Sequence, residues 1–206
     1  MMIPYNLIFN FITHTCNKFS IDESHGLKHS MDVFKYSQRI VKNEKLLHPV
    51  LKDQERVIYT SALLHDMCDN KYMDEQFGLN RIRNFIKTYL NYEDKETESI
   101  CDIISTMSYS KVKKNGFPNL NDHQMAYHVV READLLTAYD IDRCIVFNMN
   151  RYNVDYTKSV NEACDLYEVR MGKHIEDNLF FTSTGLDIAK DLEKDANERF
   201  DELKNL

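Results

Sequence analysis

Several histidines and aspartates occur where helical periodicity predicts buried apolar side chains. His25 and His29 are four residues apart, so they lie one turn apart on one face of a helix. His65 and Asp66 end an apolar run, and Asp134 interrupts an apolar stripe further along the chain. A buried, unpaired carboxylate is costly unless a cation compensates it. These residue types at these positions therefore predict a shared metal ion.

The ligand set that these positions offer is two imidazoles and two carboxylates, with one histidine from the pair His25 and His29 and the others from His65, Asp66 and Asp134. Nitrogen and oxygen ligands of this kind suit Mn2+, Mg2+, Co2+, Fe2+ or Zn2+, and the sequence does not choose among them. Four protein ligands leave room in an octahedral site for a water and a phosphate oxygen. Adjacent residues differ by about 100° around a helix, so His65 and Asp66 can share one ion only at the edge between two packed helices.

The elements that must position these side chains are predicted to be helices. The chain of 206 residues has only five glycines and three prolines, which favours long helices over a sheet. A loop is predicted over 111–121. We expect an all-α, compact helical bundle of about seven to nine helices. Apolar residues spaced by three and four predict helices over 24–44, from 53 to about 68, and over 79–90, 94–107, 122–148 and 183–204.

A single domain is predicted, because 206 residues suit one core and no linker interrupts the chain. The metal-binding core is expected over about 20–150, the part of the chain that contains all the ligand candidates. The C-terminal helices, over 155–206, are expected to pack on that core.

The charge balance limits the partners that the chain can bind. There are 26 Lys and Arg against 33 Asp and Glu, for a net charge of −7, so duplex nucleic acid is disfavoured. No apolar run is long enough for a membrane span, and no membrane partner is expected. Five scattered cysteines without a Cys-x-x-Cys pair predict a reducing, cytoplasmic location. A homodimer is left open.

The order and spacing of the four ligand candidates resemble the HD-domain metal-dependent phosphohydrolase superfamily. The pair His65-Asp66 begins 36 positions after His29, and Asp134 follows 68 positions after Asp66. The resemblance covers about residues 20–150 and implies that these four residues are the metal ligands, one for each position of the H…HD…D pattern. The supporting segments are Asp22-Glu-Ser-His-Gly-Leu-Lys-His29, Ala62-Leu-Leu-His-Asp66 and Glu132-Ala-Asp134.

A second element, His65-Asp-Met-Cys-Asp69-Asn-Lys71, looks like the HDxxDxK motif of the small bacterial subgroup linked with nucleoside triphosphate pyrophosphohydrolase activity. Asp69 is the candidate catalytic residue that would orient or deprotonate the attacking water, and Lys71 is the candidate that would meet a phosphate. The alternative for this pair is an ion pair at a helix end with no catalytic role.

Substrate contacts are harder to assign. His25, Lys111 and Arg131 are the candidate substrate-binding residues, although solvation, salt bridges or packing would also explain each of them. Tyr109 could stack on a base or be buried. Where the subgroup tends to have Asp-Ala-Asp-Arg-Leu-Asp, this chain has Glu132-Ala-Asp-Leu-Leu-Thr137, which leaves the identity of the substrate open.

The expected function is hydrolysis of a small phosphorylated compound, preferably a nucleotide, by a metal-activated water. The alternatives are a nucleoside monophosphate phosphatase of the 5'-nucleotidase type and a non-catalytic helical binding protein with a vestigial metal site. A single ion is favoured over two. His123 and His128 are five residues apart, about 140° around a helix, and could not easily share a second ion.

Overall fold

The computed structural model describes residues 3–205, and within that range helices are the only regular secondary structure, with no strand. This confirms the all-α fold. The described part contains eleven α-helices, more than the seven to nine expected. The helices are α1 (Tyr5–Phe19), α2 (Leu27–Glu44), α3 (Val50–Asp53), α4 (Glu55–Leu64), α5 (Glu75–Phe85), α6 (Asp94–Thr106), α7 (Tyr109–Asn115), α8 (Gln124–Thr137), α9 (Ile141–Tyr152), α10 (Tyr156–Val169) and α11 (Ser183–Lys204).

Two corrections account for part of the difference in helix count. The helix predicted over 122–148 is two helices, because the backbone breaks after Thr137 and Asp140 caps α9 by accepting a hydrogen bond from Arg143 N at 3.0 Å. The loop predicted over 111–121 is partly helical, since α7 extends to Asn115. This helix ends at Gly116, whose φ of 73° lies in the left-handed region that glycine tolerates best.

The helix at the centre of the core is α4. Every residue from Val57 to Leu64 is buried, so the helix is covered on all sides. Helices α2 and α8 each pack against α4 and against one another, and α6 packs on α4 as well. The buried apolar side chains form one cluster that extends from Ile8 to Leu203.

The C-terminal helix α11 is fastened to this core at its first turn by two buried carboxylates. Glu132 on α8 accepts hydrogen bonds from Phe181 N at 2.6 Å and from the backbone N and Oγ1 of Thr182 at 3.2 and 2.6 Å. Glu44 at the end of α2 accepts hydrogen bonds from Thr184 N at 2.7 Å and from Ser183 Oγ at 2.8 Å. Gly185 is required here, because a Cβ at this position would overlap Glu132 Oε2.

No helix within residues 3–205 combines the length and the apolar character that crossing a bilayer requires.

Candidate metal centre

The four ligand candidates come from three helices that pack against each other. His29 lies in the first turn of α2, His65 and Asp66 directly follow α4, and Asp134 lies on α8. The prediction that the helix starting near residue 53 continues to about residue 68 is wrong, since α4 ends at Leu64. The chain then turns tightly, and this turn brings both members of the His65-Asp66 pair to the same place.

The ligand atoms of these side chains are close enough to share one ion. The Nε2 atoms of His29 and His65 are 3.0 Å apart, and Asp66 Oδ2 lies 3.1 and 3.3 Å from them. Asp134 Oδ1 lies 3.5 and 3.6 Å from the same two nitrogens. Ligand atoms about 2.1 Å from an ion and at right angles to each other are about 3 Å apart. The spacing therefore matches a common ion, most closely for His29, His65 and Asp66.

Two of the side chains have the hydrogen bonding expected of metal ligands. His65 Nδ1 lies 2.9 Å from the carbonyl oxygen of Ala62, which can only accept, so in the neutral ring Nδ1 carries the proton and Nε2 offers its lone pair. Asp66 Oδ2 is buried without an aligned hydrogen-bond partner in residues 3–205, although two imidazole nitrogens lie nearby. An orphaned buried carboxylate oxygen of this kind fits a cation ligand.

The hydrogen bonding of His29 fits a metal ligand less simply. Its Nδ1 lies 2.7 Å from Nη1 of Arg143, and a guanidinium can only donate, so Nδ1 accepts. In the neutral ring the proton then lies on Nε2, the atom that faces the other candidate ligands. Ligation through Nε2 therefore requires the contact with Arg143 to break.

The electrostatics of the cluster reflect two imidazoles held beside two carboxylates. Burial opposes the charge on His65, but Asp66 and Asp134 outweigh it and hold the pKa of His65 well above its usual value. Burial likewise opposes ionisation of Asp66, yet His65 and His29 hold its pKa well below the usual range. A proton thus supplies the positive charge of the cluster, and a metal ion that replaced it would release that proton.

The cluster lies in a cavity of about 440 Å³, within the size range of small-molecule sites. Asp69 and Lys71 both line this cavity. Asp69 Oδ1 accepts a hydrogen bond from Lys71 N at 2.8 Å, and the Lys71 ammonium is 3.3 Å from Asp69 Oδ2. The ion pair of the alternative interpretation is thus present, and it faces the same space as the ligand candidates.

His25, a candidate substrate contact, also lines the cavity. Its Nε2 lies 3.0 Å from the Lys71 ammonium, and its Nδ1 lies 2.7 Å from Ser24 Oγ. Burial lowers the pKa of His25, so the ring is neutral at pH 7 and its Nε2 accepts from the ammonium. His25 therefore positions Lys71.

The other two candidate substrate contacts differ in position. Lys111 lines the cavity, where its ammonium pairs with Glu75 and donates to the carbonyl oxygen of Ser105 at 2.7 Å. Arg131 does not line it. Arg131 is 1% exposed, lies 3.4 Å from the carboxylate of Glu132, and has its guanidinium over the ring of Phe117. Its role is in the core, beside the carboxylate that fastens α11.

The cavity wall also includes residues that no sequence motif marks as functional. Phe147 and Arg170 carry no motif, and only three-dimensional packing brings α9 and the end of α10 to this cavity. Arg143 and Tyr109 line it as well. Arg143 lies inside the helix predicted over 122–148, so the sequence carries no signal for its place near the start of α9.

Comparison with known proteins identifies a related fold. No family model matches the chain, and no curated protein matches it. A crystal structure of a Lactobacillus plantarum protein, a structural genomics target, is similar, with a TM-score of 0.69 and 19% sequence identity. The match covers 99% of this chain and 98% of that one. At this level of identity the similarity shows the fold alone.

Proposed function

We propose that this chain is a metal-dependent phosphohydrolase of the HD-domain type that acts on a small phosphorylated compound, a nucleotide in particular. The observation that carries the proposal is that His29, His65, Asp66 and Asp134 meet in one cavity, where an oxygen of each carboxylate lies within 3.6 Å of both imidazole Nε2 atoms. Asp66 Oδ2 is buried with no aligned hydrogen-bond donor, although the Nε2 atoms of His29 and His65 lie 3.1 and 3.3 Å away, and this supports a cation at that point. The presence of Asp69 in the same cavity supports hydrolysis over simple binding.

A divalent ion, when bound, would supply Lewis-acid polarisation of a phosphoryl oxygen and a lowered pKa for the attacking water. Residues of the chain would position the attacking water and offset the charge of the phosphate. Asp69 is aimed by the hydrogen bond from Lys71 N, and its other oxygen can orient the water or accept its proton. The ammonium of Lys71, held by His25 and Asp69, would offset charge that develops on the phosphate.

The overall charge of −7 repels a polyanionic substrate, so binding depends on local cations. Lys71, Lys111, Arg143 and Arg170 all line the cavity. Four carboxylates line it too, and two of them belong to the candidate metal centre, so these cations together with a bound metal ion would favour a phosphorylated substrate over an uncharged one.

The test is a hydrolysis screen of nucleoside mono-, di- and triphosphates with Mn2+, Mg2+ and Co2+. Release of pyrophosphate supports cleavage at the α-phosphate of a triphosphate. Release of orthophosphate from a monophosphate supports the 5'-nucleotidase type instead. Asp69→Asn should lower kcat about 100-fold or more, whereas Asp187→Asn, an exposed aspartate on α11, should leave it unchanged. Metal binding without any turnover would favour the non-catalytic binding protein and refute the proposal.

We also propose a reducing, cytoplasmic location. All five cysteines are free thiols, and burial raises the pKa of Cys16 to about 11, which keeps that thiol unreactive. Fluorescence microscopy of a tagged full-length chain would test this location, and accumulation outside the cytoplasm would contradict it.

A further inference from the structure

The four cations that line the cavity are not equivalent. Lys71 pairs with Asp69, and Lys111 pairs with Glu75. Arg143 donates to the carbonyl oxygen of Ser24 at 3.0 Å and to His29. The side chain of Arg170 has neither a hydrogen bond nor a carboxylate partner among residues 3–205.

Arg170 directly follows α10 and is partly buried. Its guanidinium stacks 4.2 Å from the ring centre of Tyr109, and its Nε is buried without a hydrogen-bond partner. Burial lowers the pKa of Arg170, while the nearby Asp134 raises it. An uncompensated buried charge is costly, so a protein that retains one usually provides a partner for it.

The stacking on Tyr109 determines what that partner can be. A guanidinium whose carbon lies over an aromatic ring makes no hydrogen bond through that face, so its terminal N–H groups stay available for the oxygens of a phosphate. Asp134 favours the charge on Arg170, and Arg143 disfavours it to a smaller extent. A phosphate here would supply the hydrogen-bonded partner that the side chain of Arg170 lacks.

We propose that Arg170, supported by Tyr109, binds an anionic phosphate group of the substrate other than the one held at the candidate metal centre. This inference rests on the proposed function, because that function places a phosphorylated compound in the cavity. It makes Arg170 a substrate-binding residue of the reaction. A substrate with two phosphate groups in series supplies one group for Arg170 and one for the candidate metal centre.

The test is calorimetric titration of inorganic pyrophosphate into the full-length, metal-free protein, desalted after chelator treatment. Arg170→Gln should weaken binding by about 10- to 100-fold, the loss expected for a charge-assisted hydrogen bond. The affinity of Arg170→Lys, which keeps the charge but lacks the planar guanidinium, should lie between those of wild type and Arg170→Gln. Arg39→Gln removes the same charge from an exposed position outside this cavity, and should bind like wild type.

Equal affinity of wild type and Arg170→Gln overturns the inference, and so does a wild-type protein that binds no pyrophosphate. If Arg170→Gln fails to fold by circular dichroism, an arginine-selective dicarbonyl reagent is used on wild type instead. Pyrophosphate should then slow modification of Arg170, mapped by mass spectrometry, several-fold. Unchanged modification overturns the inference equally.

Failure of this inference and failure of the proposed function give different results. A protein that hydrolyses nucleotides but shows no effect of Arg170→Gln on pyrophosphate affinity or KM refutes only the role of Arg170. A protein whose pyrophosphate binding depends on Arg170, but which hydrolyses nothing with any of the three metals, refutes the hydrolase. The anion site would remain.

Discussion

Replacing Glu132 by glutamine should change how the free energy of unfolding depends on pH. The carboxylate has 0% side-chain exposure and accepts hydrogen bonds from Phe181 and Thr182 at the start of α11. Burial raises the pKa of Glu132 to about 7, even though the hydroxyl of Thr182 and the charge of Arg131 lower it. The unfolded chain has the ordinary value of about 4.5.

The direction in which stability changes with pH follows from proton binding. Between pH 4.5 and 7 the folded protein holds more protons on Glu132 than the unfolded chain does, so stability falls as pH rises. A difference of about 2.5 pKa units corresponds to about 3 kcal/mol over the whole window. Glutamine does not titrate. The stability advantage of wild type over Glu132→Gln should therefore shrink by about 3 kcal/mol as the pH is raised.

A matched control is available at the same helix terminus. Burial opposes ionisation of Glu44, but hydrogen bonds from Thr184 and Ser183 outweigh it and hold the pKa of Glu44 below its usual value. The stability that ionised Glu44 contributes is present above the pKa of the group in the unfolded chain. It is lost as the pH falls through the pKa of the group in the folded protein. The advantage of wild type over Glu44→Gln should therefore grow as pH rises, opposite to the result for Glu132.

Urea denaturation of the three proteins, from pH 4 to 8 in steps of half a pH unit, measures both differences. Each difference between wild type and a variant isolates one group, because the other titrating residues are common to both proteins. If the difference between wild type and Glu132→Gln is flat or grows with pH, Glu132 is ionised in the folded protein at acidic pH, and the reasoning from its burial is wrong.

Three further predictions follow from particular contacts. Gly78→Ala should lower the free energy of unfolding by about 1–3 kcal/mol, measured with urea, because the new Cβ would lie 2.5 Å from Cys68 Cβ in the turn after α4. An unchanged free energy of unfolding would show that α5 can shift to make room for the new Cβ. Arg143→Met should bind Mn2+ about 10-fold more tightly by calorimetry, since the hydrogen bond to His29 no longer has to break; weaker binding would show that Arg143 supports the site. Metal binding near pH 7 should release about one proton, seen as a dependence of the binding enthalpy on the buffer; a release of none would contradict the protonated cluster.

Much of the fold could be predicted from the sequence, because periodic apolar residues determine which face of a helix is buried. The helix expected over 94–107 is α6, and the break between α8 and α9 is the instructive exception. The apolar stripe continues across Thr137 and Asp140 to Ile141, so periodicity alone gives no signal there. A capping side chain and the packing of α9 determine where the chain turns.

The candidate site, like the fold, could be predicted from the sequence only in part. His29, His65, Asp66 and Asp134 could be singled out because polar groups on buried faces conflict with the local pattern, and the structure brings them together. The roles of the arginines could not be predicted. Whether an arginine is a core residue, like Arg131, or lines a cavity depends on partners that lie far away in the sequence.

The most direct test of the central claim is the number of Mn2+ ions bound per chain at equilibrium, measured by metal analysis after dialysis. We predict one ion per chain for wild type, none for Asp66→Asn, and one for the control Asp187→Asn. Loss of a carboxylate ligand should cost more than the 10- to 100-fold typical of residues behind the ligands. A wild-type chain that binds no ion, or an Asp66→Asn chain that binds as much as wild type, would contradict a metal centre at this site.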